Sequence, residues 1–102
     1  MTVTLQVLYP TAGGTRFDHD YYTTTHVALV NEHMGPFLQG HQVVKGIAGG
    51  PDVPPGFHAI FTARFADMEA LQGALGAAGP VLADIPNYTD AEPQMLIGEE
   101  VG

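Results

Sequence analysis

The helix that organises this chain begins in the stretch RFDHDYYTTTH, residues 16–26. Asp18 is suited to the N-cap position, because its carboxylate can accept hydrogen bonds from the free amides of the first turn. With 3.6 residues per turn, Asp18, Tyr22 and His26 lie along one stripe, which continues through mostly apolar residues to His33. A phenol and an imidazole on a core-facing stripe cost free energy unless each is hydrogen-bonded or lines a pocket. Tyr22 and His26 are therefore the first candidate functional residues.

Hydrophobic patterning around this helix predicts an alternation of strands and helices. The predicted elements are a strand over 2–9, the helix over 18–34 closed by Gly35-Pro36, strands over 41–48 and 58–65, a helix capped by Asp67 with Met68, Leu71 and Leu75 as its core stripe, and a last strand over 94–101. Their order is βαββαβ, which is the α+β ferredoxin-like plan of one antiparallel sheet with both helices on a single face.

That plan leaves the second face of the sheet uncovered, and the sequence places many apolar residues there. A second copy packed sheet against sheet would bury this face, so we expect a homodimer. The composition agrees with this expectation, since only 14% of the residues are charged and 45% are hydrophobic. With 102 residues and no internal repeats or linkers, we expect a single domain over 1–102.

The charge balance excludes several classes of partner. Three Lys and Arg stand against eleven Asp and Glu, for a net charge of −8, so nucleic acids and anionic membranes are poor partners. The absence of cysteine excludes disulfides, thiol nucleophiles and thiolate metal sites. No signal peptide or spanning segment is visible, and we expect a cytoplasmic protein.

Three segments together resemble the EthD family, named for ethyl tert-butyl ether degradation. They are residues 16–26, the strand end from Lys45-Gly46 to Gly49-Gly50, and ADIPNYTD at 83–90. The resemblance runs through essentially the whole chain without large insertions. It implies a dimeric α+β barrel in which two ferredoxin-like sheets face each other, with a cleft between sheet and helices in each subunit.

Relatives in the wider superfamily include lactone isomerases, polyketide cyclases, cofactor-free monooxygenases and haem-binding enzymes, so the resemblance does not define one reaction. It implies that His26 is the acid/base, since lactone-isomerising relatives use the histidine at this position. The alternative for His26 is a buried histidine bonded to a backbone carbonyl or a carboxylate. An imidazole is suited to proton transfer because its ordinary pKa lies near cellular pH.

Four further residues are candidates for the same cleft. Tyr22 is a candidate catalytic residue that would orient a substrate oxygen, with an ordinary core aromatic as the alternative. Tyr88, Phe17 and Arg16 are candidate substrate-binding residues. Arg16 has a competing role as the ion-pair partner of Asp18 or Asp20, which we expect to prevail. Asp84 and Asp90 are expected to serve only as turn and capping residues.

No metal or other cofactor is expected. His19, His26 and His33 recur every seven residues, which places them about 10.5 Å apart along a helix, whereas zinc ligands converge at about 2.1 Å from the ion. Three basic residues offer little to haem propionates. The paired glycines lack the context of a dinucleotide site and are typical of turns.

The sequence therefore predicts a cofactor-independent enzyme that isomerises, cyclises, decarboxylates or oxygenates a small, oxygenated, apolar or aromatic metabolite by acid/base chemistry at His26. Two alternatives remain open. One is a non-catalytic metabolite-binding or accessory protein of a degradation pathway, and the other is a dimer that acts as a structural partner of a larger enzyme.

Overall fold

The computed structural model describes all 102 residues. Its elements are β1 (Val3–Pro10), α1 (His19–Tyr21), a π-helical turn (Tyr22–His26), α2 (Val27–Met34), a 3-10 turn (Gly35–Phe37), β2 (Gly40–Lys45), β3 (Phe57–Phe65), α3 (Met68–Gly76), α4 (Gly79–Asp84), a second 3-10 turn (Ile85–Asn87) and β4 (Gln94–Glu99). None of the helices combines the length and the apolar character that crossing a bilayer would require.

The four strands form one antiparallel sheet in the order β2-β3-β1-β4. The two central strands, β1 and β3, come from distant parts of the sequence, and Val7 of β1 lies opposite Phe61 of β3 and Met95 of β4. This arrangement confirms the ferredoxin-like α+β fold, in which each helix connection crosses over one strand of the sheet.

The core lies between one face of the sheet and the helices. Every second residue of β1 from Val3 to Tyr9 is buried, as is every second residue of β3 from Ala59 to Phe65. The buried helical residues, among them Val30, Leu71 and Val81, belong to the same cluster. The period of two in the strands therefore determines which sheet face the helices cover.

The predicted first helix begins where expected but contains an unexpected π-helical turn. Asp18 caps it, with its carboxylate accepting from the amide of Tyr21 at 3.1 Å. At the π turn the Val27 amide donates to the carbonyl of Tyr22, five residues back. In a regular α-helix, residues four apart drift by about 40° per step. The wider turn reduces that drift and keeps Tyr22 and His26 both buried.

Hydrogen bonds connect the start of this helix to the late irregular segment. The amide of Asp18 donates to the carbonyl of Tyr88 at 2.8 Å, and the Thr89 hydroxyl donates to the carbonyl of Arg16 at 2.6 Å. Phe17 and Thr89 form an antiparallel bridge. The two segments that carry the family resemblance most specifically are therefore in direct contact.

Two predicted details were wrong. The second strand ends at Lys45 rather than at residue 48, because the chain beyond it forms a tight turn of its own, in which the Gly49 amide donates to the carbonyl of Val53. On α3, Met68 and Leu75 are 41% and 40% exposed, and only Leu71 of the predicted stripe is buried. Ala74 completes the buried side of α3 instead, because the helix approaches its neighbours closely at small residues.

The outer face of the sheet carries no helix. Its apolar members are Leu8, Val44, Ile60 and Leu96, and the others include Thr4, Gln6, Gln42, Thr62 and Arg64. The expected apolar side chains therefore share this face with uncharged polar ones. The molecule measures 39 × 32 × 19 Å, which matches a single sheet covered on one side by a single layer of helices.

Candidate functional site

His26 lies at the centre of a buried hydrogen-bonded cluster. Its side chain leaves the π-helical turn toward the sheet, and the residue is 3% exposed. Nδ1 lies 3.0 Å from Oδ2 of Asp84, at the end of α4, and Nε2 lies 3.3 Å from the hydroxyl of Tyr88. Both ring nitrogens therefore have partners, and these partners come from a segment about sixty residues away in the sequence.

Asp84 is held by three donors. Besides His26, the Tyr21 hydroxyl donates to Oδ1 at 2.6 Å and the Asn87 amide donates to the same oxygen at 2.9 Å. Burial raises the pKa of the Asp84 carboxyl, but the hydrogen bonds from Tyr21, Asn87 and His26 outweigh it and hold the pKa below its ordinary value. Asp84 is therefore a carboxylate at neutral pH.

The charge on Asp84 determines which ring nitrogen of His26 carries the proton. Burial lowers the pKa of the imidazole, and this exceeds the opposing hydrogen bond and charge of Asp84, so His26 is neutral at pH 7. A carboxylate can only accept, so the single proton of the neutral ring is on Nδ1. Nε2 then carries a free lone pair directed toward Tyr88, which is the arrangement of a general base oriented by a carboxylate.

Two tyrosines extend this arrangement to the sheet. Because Nε2 is an acceptor, the Tyr88 hydroxyl donates to it, and the Tyr88 oxygen in turn accepts from the hydroxyl of Tyr9 at 2.8 Å. Burial raises the pKa of both phenols, so both remain protonated at neutral pH. The structure thus contains one continuous chain of donors from Tyr9 through Tyr88 and His26 to Asp84.

Aromatic rings surround the chain of donors. Tyr22, which is 1% exposed, stacks on the His26 ring with centroids 5.3 Å apart and planes at 19°. Phe17 is partly buried, and its ring lies 5.1 Å from that of Tyr22 and 5.4 Å from that of Tyr88. These contacts restrict the rotamers of the hydrogen-bonding side chains, since each ring is packed on several sides.

A small apolar cavity lies next to the cluster, between the sheet and the helices. Its volume is about 40 Å³. Its lining includes Tyr9, Tyr22 and His26 as the residues with polar atoms. The apolar lining residues are Leu5, Val7, Val30, Met34, Phe61, Leu75, Ala78, Val81, Leu82, Ile85 and Met95. Tyr9 and His26 therefore belong both to the cavity lining and to the hydrogen-bonded cluster.

The structure brings together most of the predicted site residues but not all of them. His26, Tyr22, Tyr88 and Phe17 are in mutual contact. Tyr88 is fully buried behind His26 and does not line the cavity. Arg16 is exposed and lies away from the cavity.

The predicted ion pair of Arg16 with Asp18 or Asp20 was also wrong. The guanidinium of Arg16 donates to the carbonyl of Pro86, and the backbone amide of Arg16 donates to the carboxylate of Asp90. Asp18 instead caps the helix, so its carboxylate already accepts from the amide of Tyr21.

Sequence reasoning missed two members of the cluster. Asp84 was expected to be a turn or capping residue, and Tyr9 was counted only as part of a strand. The signal for Asp84 was its position in the same late segment as Tyr88, four residues before it. Tyr9 gave no such signal, because an aromatic residue at the inward-facing end of a strand is ordinary core.

The geometry does not fit a haem or a metal ion. Both nitrogens of His26 are engaged, and a cavity of about 40 Å³ has no room for a porphyrin. No three side chains of His, Asp or Glu lie close enough together to hold a metal ion.

Comparison with solved structures identifies similar proteins. An EthD-like protein from Ralstonia eutropha is 35% identical in sequence, with a TM-score of 0.87 and coverage of 96% of this chain and 90% of the other. An ethyl tert-butyl ether degradation family protein from Bacillus halodurans is 24% identical, with a TM-score of 0.79 and coverage of 99% and 100%.

A more distant match shares the fold alone. The cofactor-independent oxygenase SnoaB from Streptomyces nogalater is 12% identical, with a TM-score of 0.62 and coverage of 98% and 95%. No protein-family model matches the sequence, and no curated protein matches it either.

Proposed function

The chain belongs to the EthD-like family, and from this premise we propose that it is a cofactor-independent enzyme that moves a proton on a small oxygenated substrate. The observation that carries the proposal is the hydrogen-bonded chain Tyr9–Tyr88–His26–Asp84. One end of it, Tyr9, belongs to the cavity lining, and the other end is the Asp84 carboxylate. A base oriented in this way is suited to abstract a proton next to a carbonyl or from a phenol.

The proton would pass to His26 through the two hydroxyls. As the substrate gives its proton to the Tyr9 oxygen, Tyr9 gives its own proton to Tyr88, and Tyr88 gives its proton to Nε2 of His26. The electron pair of the broken C–H bond stays on the substrate as an enolate, and the new imidazolium is stabilised by the Asp84 carboxylate. Reversal of the chain returns a proton to a different substrate atom, which completes an isomerisation. In a cyclisation the enolate carbon first forms a bond to a second carbonyl carbon of the substrate, and the oxygen of that carbonyl takes the returning proton.

Burial supports a relay in preference to an ionised tyrosine. The pKa of Tyr9, Tyr22 and Tyr88 is raised in each case because the ring is removed from water. A phenolate at rest would be costly in these surroundings. Tyr22, stacked on His26 and lining the cavity, is proposed to position the substrate oxygen. Phe17 is proposed to close the aromatic wall behind it.

Oxygenation is compatible with the same first step, since an enolate or phenolate is the species that a cofactor-free oxygenase must form. SnoaB, described as a cofactor-independent oxygenase, shares the fold. The proposal is therefore limited to the proton abstraction that these reactions have in common.

We also propose that two copies pack through the outer faces of their sheets. The single helix layer leaves only 20 of 102 residues buried, which is a small core for a stable domain. The outer face has no charged residue at its centre, where Gln6, Leu8, Ile60 and Thr62 lie on adjacent central strands. Its one cation, Arg64, is paired with Glu100 at 3.2 Å.

Hydrogen exchange in D₂O tests the proposed chemistry without knowledge of the natural substrate. Proton NMR would follow loss of the acidic C–H signal in a panel of β-keto lactones, cyclic 1,3-diones and substituted phenyl ketones. We expect exchange above the buffer rate for at least one compound. His26→Ala should reduce this exchange by about 10²–10⁴-fold, the usual contribution of a positioned base.

Two further variants make the test specific to the relay. Tyr9→Phe and Tyr88→Phe keep the packing and remove one hydroxyl each, so both should slow exchange while circular dichroism stays unchanged. His41→Ala, on the edge strand β2, is the control and should exchange at the wild-type rate. Exchange that survives His26→Ala, or no exchange with any compound, would contradict the proposal.

A further inference from the structure

The cavity beside His26 is too small to enclose a substrate. It measures about 40 Å³, whereas small-molecule sites usually measure 300–1,000 Å³. Any substrate whose reactive oxygen reaches Tyr9 must therefore extend out of the cavity. The direction in which it extends is given by the lining residues that also contact solvent.

Three such residues form one apolar mouth, defined by Leu75, Leu82 and Met95. They come from α3, α4 and β4, and are 40%, 48% and 52% exposed although all three line the cavity. Ile97 lies two residues along the same face of β4 and is 48% exposed. Large apolar side chains from three elements thus continue the cavity to the surface without an intervening charged residue.

The shape and chemistry of this path restrict the ligand. None of the cavity-lining residues is an acid, a lysine or an arginine, and burial keeps the His26 ring neutral. The apolar lining of the cavity and of its mouth suits a chain of methylene groups. Leu75, Leu82 and Met95 have unbranched or γ-branched side chains that can shift rotamer at the surface.

Building on the proposed function, we propose that the substrate is an amphiphile. Its carbonyl or phenolic oxygen lies at Tyr9 and Tyr22, and an unbranched aliphatic chain leaves through the mouth between Leu75, Leu82 and Met95. In this proposal the mouth selects the aliphatic chain of the substrate, and the hydroxyls of Tyr9 and Tyr22 recognise its oxygen.

A series of 4-alkylphenols from 4-methylphenol to 4-heptylphenol tests this assignment. Dissociation constants would be measured by NMR titration, with the ring resonances of His26 reporting occupation of the site. Burial of one methylene contributes roughly 0.8 kcal/mol, so we expect the Kd to fall by up to about fourfold per added carbon until the chain leaves the mouth.

Matched variants on α3 and β4 separate the mouth from general hydrophobic binding. Leu75→Gln and Met95→Gln should flatten the dependence of Kd on chain length. Met68→Gln, on the same helix as Leu75 and 41% exposed but outside the cavity lining, should retain it. An equal effect of Met68→Gln on the dependence of Kd on chain length would overturn the assignment. A change in the oligomeric state of Leu75→Gln would also overturn it, because a second copy would then cover the mouth.

The result also distinguishes this inference from the proposal on which it rests. If the short phenols shift the His26 resonances but added carbons do not lower the Kd, the amphiphilic substrate is wrong and the acid/base site stands. If no phenol of any length shifts those resonances, the proposed site itself is wrong.

Discussion

Asp84 is the residue on which the state of the whole cluster depends. Its carboxylate has three donors in a position that is 8% exposed. Removing a buried acceptor leaves its donors without partners, and this usually costs more than the hydrogen bonds themselves contribute. The same charge also selects the Nδ1–H form of His26, so Asp84 connects the stability of the fold to the proposed chemistry.

Asp84→Asn should destabilise the protein by about 1–3 kcal/mol, because His26 and Tyr21 lose a charged acceptor. Urea unfolding followed by circular dichroism measures this change. Asp90→Asn is the control, since Asp90 is exposed and accepts only from the backbone amide of Arg16. We expect the control to change stability by less than about 1 kcal/mol. Equal losses in both variants would argue against a special role for Asp84.

The lowered pKa of His26 predicts that acid destabilises the protein. The ordinary pKa of 6.5 applies in the unfolded chain, and burial lowers it in the folded state. Below pH 6.5 the unfolded state therefore binds more protons, and the free energy of unfolding decreases as the pH falls. One histidine contributes at most about 1.4 kcal/mol per pH unit. Below about pH 4, Asp84 acts in the same direction, because its folded pKa is lowered as well.

Urea unfolding at pH 7.5, 6.5, 5.5 and 5.0 checks this prediction. His26→Gln should show a smaller decrease in the free energy of unfolding over this range than the wild type. His41→Gln replaces an exposed histidine and should keep the wild-type dependence. A decrease in the wild type that is no larger than that in His26→Gln would mean that burial does not lower the pKa of His26.

At the scale of elements, the π-helical turn carries both Tyr22 and His26 on its buried side. It is supported locally, because the hydroxyls of Thr23 and Thr24 donate to the carbonyls of His19 and Asp20 at 2.9 and 2.6 Å. Such back-bonding satisfies carbonyls where the regular pattern is interrupted. Thr23 and Thr24 thus satisfy two carbonyls beside the irregular turn that carries Tyr22 and His26.

Gly73 on α3 lets this helix approach Phe37. A Cβ at this position would lie 2.6 and 2.8 Å from two ring atoms of Phe37, which is too close for normal contact. Gly73→Ala should therefore lower the free energy of unfolding by about 1–2 kcal/mol, although alanine favours helices by about 1 kcal/mol over glycine.

Gly76→Ala on the same helix is the matched control, since nothing lies within 4 Å of a Cβ there. It should raise stability by about 0.5–1 kcal/mol through helix propensity alone. Thermal or urea unfolding of both variants measures the two effects. If both changes stabilise, the contact of α3 with Phe37 is not a tight one.

For the whole molecule, the uncovered sheet face predicts a dimer. Size-exclusion chromatography with light scattering should give twice the chain mass of 10.8 kDa. Leu96→Lys places a charge on the outer face and, by twofold symmetry, a like charge from the second copy, so it should shift the mass toward the monomer.

The neighbouring residue provides the control. Ile97 is 48% exposed, against 57% for Leu96, but it lies on the opposite face of the same strand. Ile97→Lys should leave the mass unchanged. A monomeric wild type, or dissociation by Ile97→Lys instead of Leu96→Lys, would show that the outer sheet face is not the interface.

The sequence by itself determined the elements of the fold and their order. The alternation of β1 and β3, the Asp18 and Asp67 caps and the Gly35-Pro36 stop depend only on neighbours within one or two turns, so they were correctly predicted. The placement of Tyr22 and His26 on a buried stripe followed from the same short-range periodicity. The end of β2 and the exposed side of α3 did not, since both depend on what the rest of the chain packs against them.

Only the tertiary structure decided what the buried polar groups do. Asp84 lies 58 residues from His26 along the chain, and Tyr9 lies 79 residues from Tyr88. A hydrogen bond depends on distances of a few tenths of an ångström between side chains, which no local pattern specifies. Folding brings together a strand end, a helical turn and a late loop, and their meeting joins two tyrosines, a histidine and an aspartate in one hydrogen-bonded chain.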